Sequence, residues 1–128
     1  MVIKKRVRAN VIIFDISGDF LRTERNIGKL RQEVTKLLRE GKRNFLVNIG
    51  SIKKMDSSGL GEIIKSLALV RKYNGKLGYF QSRDVIEKFG MKLTQSTEKW
   101  GFTNEREAMT KLFREKSFLE VVKSLLGY

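Results

Sequence analysis

Two short β-rich runs, residues 2–7 and 11–17, meet across Arg8-Ala9-Asn10, and every strand-like run after them is separated from the next by a segment of helical period. This alternation constrains the fold more than any other feature of the chain. The tight connection between the first two runs predicts an antiparallel hairpin. Strands that alternate with helices thereafter predict parallel pairing through right-handed crossovers, because a parallel neighbour is reached only by a long return over the sheet face. The expectation is a single α/β domain with a four- to five-stranded mixed sheet, packed by about four helices.

In residues 24–40, Ile27, Leu30, Val34, Leu37 and Leu38 recur at three-to-four spacing with charges between them, and Gly41 marks a stop. Residues 44–49 form a mostly apolar run of strand length, and residues 50–56 read as a loop. A second helix should bury Leu60, Ile63, Ile64, Leu67 and Val70 and end near Asn74-Gly75. Residues 76–81 read as a strand, Asp84 as the cap of a short helix over residues 85–89, and residues 100–103 as a short strand. Trp100 is expected to pack at the core or the sheet edge. Asn104 is placed to cap a further helix, with Glu107 completing a capping box.

A second capping-box pattern, Ser117-Phe118-Leu119-Glu120, opens a helical extension over residues 117–128, leaving residues 1–116 as the domain itself. Its stripe of Phe118, Leu119, Val122 and Leu126 is expected to pack back on the domain, since exposed apolar faces are disfavoured. Self-association through this helix is the alternative.

Composition narrows function by exclusion. The chain has no cysteine and no histidine, so disulfides, zinc-finger sites, Cys–His pairs and Ser–His–Asp triads within it are ruled out. No carboxylate cluster suggests a metal, and no cofactor is expected. The apolar run after the basic N-terminus is too short for a signal-peptide core, and no run approaches a membrane span; a cytoplasmic location is expected. The net charge is +13, from 27 Lys and Arg against 14 Asp and Glu. These cations are scattered, with no run longer than Lys4-Lys5-Arg6 and no aromatic interleaving, so specific nucleic-acid binding is not expected.

The segment that points to function is Asp56-Ser57-Ser58-Gly59-Leu60-Gly61, between a strand-like and a helix-like run. It lacks the third glycine of a dinucleotide fingerprint. Lys65-Ser66 follows Ile64 rather than the glycine of a P-loop, and no Gly-x-Ser-x-Gly elbow is present. What remains is a turn at a helix N-terminus that presents two serines. One of them is expected to cap the helix. A phosphate on the other would sit at the positive end of the helix dipole and be accommodated without unfolding. Lys53 and Lys54 stand before the turn and could neutralise it, though a solvated loop is the expected setting.

Met55-Asp56-Ser57-Ser58-Gly59-Leu60-Gly61, following Phe45-Leu46-Val47-Asn48, resembles the signature of STAS domains, and most closely that of the bacterial anti-sigma factor antagonists. The order of segments is similar from about Val7 to Leu112. The resemblance implies that Ser57 is phosphorylated by a partner that is both an anti-sigma factor and a serine kinase. It implies that the unphosphorylated form binds that partner and frees the sigma factor, and that a PP2C-type phosphatase reverses the modification. It implies partner-binding roles for Asp19, Asp56, Ser58, Gly59, Leu60 and Gly61, and no catalytic activity of the chain's own. Many family members carry Gly-Glu-Leu-Asp after the second strand; here Gly18-Asp19-Phe20-Leu21 keeps one of the two acids. The alternative is a non-catalytic STAS scaffold, or an accessory subunit of a stress-signalling complex or transporter.

Overall fold

The computed structural model describes residues 1–81 and 100–114, together with residues 122, 123 and 125–127. β1 (Val2–Arg8) and β2 (Val11–Phe20) form the expected hairpin, antiparallel from Val2 opposite Ser17 to Arg8 opposite Val11. Ala9 and Asn10 make the turn with φ of 45° and 67°, the paired positive angles that a two-residue I′-type connection requires. There follow α1 (Lys29–Arg39), β3 (Asn44–Met55), α2 (Ser57–Lys72), β4 (Lys76–Phe80), β5 (Gly101–Phe102) and α3 (Glu105–Leu112). The sheet order is β1-β2-β3-β4-β5, and every pairing after the hairpin is parallel.

Alternation along the central strands feeds two cores. Ile12, Phe14 and Ile16 of β2 and Phe45, Val47 and Ile49 of β3 face Leu30, Val34, Leu37 and Leu38 of α1 and Ile63, Leu67 and Val70 of α2. Val11 and Ile13 of β2, with Leu46 and Phe80, face Ala108, Met109 and Leu112 of α3 on the other side. The central strands are thus apolar on both faces, as parallel strands covered by helices must be. Trp100 packs against both clusters, with the Arg71 guanidinium 5.6 Å above its ring.

Several expectations need correction. β3 does not end at Ile49: it continues to Met55, so the anticipated loop over residues 50–56 is strand. β2 likewise runs past Ser17 to Phe20, through register shifts that a positive φ of 85° at Gly18 accommodates. The extra ladder, Gly18 opposite Ile52 and Phe20 opposite Met55, gives the exposed backbone of both segments partners and buries Ile52, Phe20 and Met55. α1 starts at Lys29, later than residue 24, because Glu24 is drawn to the N-terminal ammonium at 3.4 Å and residues 21–28 make isolated turns. On α2 the buried stripe is Gly59, Glu62, Ile63, Ser66, Leu67 and Val70, so Ile64 lies outside it and stands 37% exposed. Three helices stand among the described residues; the short helix expected over residues 85–89 and most of the extension over 117–128 lie outside them. Leu126 is 67% exposed, so the expected packing back on the domain does not hold at that position.

An ion cluster ties the edge strand to α3. Arg6 donates to both Asp15 and Glu105, and Arg8 reaches Glu105 at 2.8 Å. Arg6 holds the Asp15 and Glu105 carboxyls below their ordinary ranges. Carboxylates depressed in the folded state stabilise it fully above their unfolded values, 3.8 and 4.5, and lose that contribution as pH falls through the lower folded values. Urea midpoints are therefore expected to fall as pH drops below about 4.5, and less steeply in Arg6→Ala. Identical slopes in the two proteins would rule the cluster out as the cause.

Candidate functional site

The turn between β3 and α2 is built on Asp56. Its backbone is extended (φ −114°, ψ −177°), and its Oδ1 accepts a hydrogen bond from the Gly59 N–H at 2.9 Å, which makes it the N-cap of α2. Its Oδ2 accepts from the Arg22 N–H, also at 2.9 Å, joining the turn to the segment after β2. These N–H groups, Arg22 first, hold the Asp56 carboxyl below the usual carboxylate range, so the cap stays ionised near neutral pH. The capping task expected of a serine thus belongs to the acid. Ser57 and Ser58 become the first two residues of the helix, outside the cap, with Ser57 exposed and Ser58 half-buried.

Asp56 can sit there because α2 approaches the end of β2 closely. A Cβ placed on Gly59 would lie 2.1 Å from the Phe20 carbonyl oxygen, 3.0 Å from Phe20 Cδ1 and 3.1 Å from Met55 Cγ. Only glycine fits. Gly59 is therefore buried on the inner face of α2, packed against the end of β2. Leu60 is half-buried and packs against the larger core. A Cβ on Gly61 meets nothing within 4 Å, so no steric constraint of the fold selects glycine there.

A groove of about 450 Å³ runs along the helix start, lined by Arg22, Ile27, Ser57, Ser58, Gly61, Glu62 and Lys65. Of the residues singled out in the sequence, it brings together Ser57, Ser58 and Gly61. Asp19 lies outside it, opposite Lys54 in the β2–β3 ladder. Lys53 and Lys54 are exposed strand residues and do not line the groove. Its cations are Arg22 and Lys65, which sequence spacing gave no reason to select. Glu62, buried to 7% exposure, is held by Arg31 of α1 at 2.9 Å and lies 4.0 Å from Lys65. Its charge, though it lines the groove, is thus compensated by Arg31 and Lys65. No group of His, Cys, Asp or Glu with metal-binding geometry occurs among the described residues.

The sheet order, the helix placement and the capped turn define a STAS-type fold. No protein-family model matches the chain, and no curated protein does. Solved structures do. The anti-sigma factor antagonist SpoIIAA in its unphosphorylated form aligns with a TM-score of 0.63 at 14% identity, covering 90% of this chain and all of that one. TM1081 of Thermotoga maritima gives 0.69 at 15% identity, over 88% of this chain and 95% of that chain. A sulfate transporter family protein from Wolinella succinogenes gives 0.63 at 19%, over 88% and 93%. At these identities the likeness is one of fold. No helix among the described residues is long and apolar enough to cross a membrane.

Proposed function

We propose that this chain is a phosphorylation-switched anti-sigma factor antagonist. In its unphosphorylated form it docks through the Ser57 groove on an anti-sigma factor that is also a serine kinase, and so releases the sigma factor. Phosphorylation of Ser57 switches docking off, and a PP2C-type phosphatase restores it. Asp56 positions the turn, Ser58 and Gly61 line the docking groove, and the chain performs no chemistry of its own.

One observation carries this reading. Because Asp56 caps α2, the Ser57 hydroxyl is not needed as the cap and stands exposed at the first position of the helix. The fold shared with SpoIIAA, whose structure is known in a phosphorylated form, supports it. With ATP and the anti-sigma kinase, the parent protein is expected to take up one phosphate, and Ser57→Ala none, by intact mass. Equal modification of the two would remove Ser57 as the acceptor.

The similar fold of the Wolinella succinogenes protein favours a second reading, a non-catalytic STAS module of an anion-transport or stress-signalling assembly. In that case partner binding does not depend on the state of Ser57.

A further inference from the structure

The positive charge is unevenly placed on the two helical faces of the sheet. α1 carries Lys29, Arg31, Lys36 and Arg39, and α2 carries Lys65, Arg71 and Lys72, against only Glu33 and Glu62. Both acids are already engaged, Glu33 by Lys29 at 3.2 Å and Glu62 by Arg31 at 2.9 Å. On the opposite face α3 balances Arg106 and Lys111 with Glu105 and Glu107. Among the described residues, one face is therefore basic and the other close to neutral.

The two helices lie side by side over the sheet, and a shallow groove of about 410 Å³ between them is lined by Arg31, Thr35, Lys65, Ala68, Leu69 and Lys72. Cations border a short apolar strip of Ala68 and Leu69, and Ile64, one turn before Ala68 on α2, is also exposed. A second recess along α1 adds Lys36 and Arg39, with Glu40 at its end.

We propose that the α1–α2 face docks on an anionic lipid surface. Two helices that present cations from one plane let lipid headgroups meet Lys36, Arg39, Lys65 and Lys72 together, while Ile64, Ala68 and Leu69 approach the acyl boundary. Duplex nucleic acid is a poorer match, because reading it needs an element that enters a groove. Single strands need aromatic platforms, and no aromatic side chain lines either recess. Each basic residue held near an anionic leaflet contributes about fivefold in affinity, and the effect fades beyond a Debye length. The inference does not rest on Ser57 being modified.

Co-sedimentation of the whole chain with vesicles tests it. Binding is expected with phosphatidylcholine–phosphatidylglycerol vesicles, weakened by salt, and absent with phosphatidylcholine alone. The variant Lys36→Gln/Arg39→Gln/Lys72→Gln should bind roughly a hundredfold more weakly with an unchanged melting temperature. Lys4→Gln/Arg106→Gln/Lys111→Gln removes the same charge elsewhere and should bind nearly as the parent does. The proposal is overturned by equal binding to both vesicle types or by equal losses in the two variants. Tighter binding to random-sequence duplex DNA than to anionic vesicles at the same ionic strength also overturns it.

Discussion

Replacing Gly59 with alanine is expected to cost the domain about 3 kcal/mol, and replacing Gly61, two residues on, to stabilise it by roughly 0.5–1 kcal/mol. The first change puts a methyl group 2.1 Å from the Phe20 carbonyl oxygen, a backbone atom fixed by the β2–β3 ladder. The side chain that offends cannot rotate away, because it is a lone Cβ. Relief requires α2 to lift from the sheet, which opens contacts around Ile63 and Leu67 and disturbs both hydrogen bonds to Asp56. At Gly61 a methyl group meets nothing within 4 Å and the helix gains from a residue with less freedom to lose. It also intrudes on the Ser57 groove. Urea unfolding of both variants checks the pair, and a Gly59→Ala protein within 1 kcal/mol of the parent would mean that the close approach is not maintained in solution. If Gly61→Ala is more stable yet binds its partner less well, the glycine serves docking rather than folding.

Phosphorylation of Ser57 is expected to leave the fold intact and to weaken partner binding by about thirtyfold or more. In the free protein the added charge meets the first turn of α2 and the groove cations Arg22 and Lys65, so its cost is small. When a partner closes over the groove, water leaves and a phosphate without a matching cation on the partner is left buried. Penalties of about 2–5 kcal/mol are usual for such a charge, which is the source of the expected factor. Binding of the modified and unmodified chain to the anti-sigma kinase, with a melting curve of each, measures both halves. Comparable affinities would refute the switch and favour the constitutive module.

Local chemistry made much of this architecture legible in the sequence. Asn104 caps α3 through the Glu107 N–H at 2.8 Å, as the capping pattern required, because such bonds involve neighbours only. Even there Glu107 returns its bond to the Thr103 N–H, one residue beyond the position anticipated. What could not be read depends on contacts far apart in the chain. Asp56 displaces the serines as cap partly because its second oxygen finds Arg22, 34 residues away. The inner stripe of α2 includes Gly59 and Ser66, small residues that permit close approach, and apolar periodicity alone favoured Ile64 instead. Ser66 is buried at no polar cost because its hydroxyl donates to the Glu62 carbonyl at 2.8 Å. Arg22 and Lys65 belong to the groove only once the β2 end and α2 have met.

Among the described residues, the hairpin that opens the chain leaves β1 at the rim of the sheet, bonded to β2 on one side only. Seven residues of straight strand without a proline or a bulge would be a ready template for another chain's backbone. Four of the seven are Lys4, Lys5, Arg6 and Arg8. Arg6 and Arg8 are paired with Asp15 and Glu105, but two such rims brought together antiparallel would still bring Lys4 and Lys5 of one close to those of the other, which opposes sheet-to-sheet growth. Part of the chain's excess charge therefore acts on other copies of itself, keeping crowded molecules apart rather than drawing any partner in.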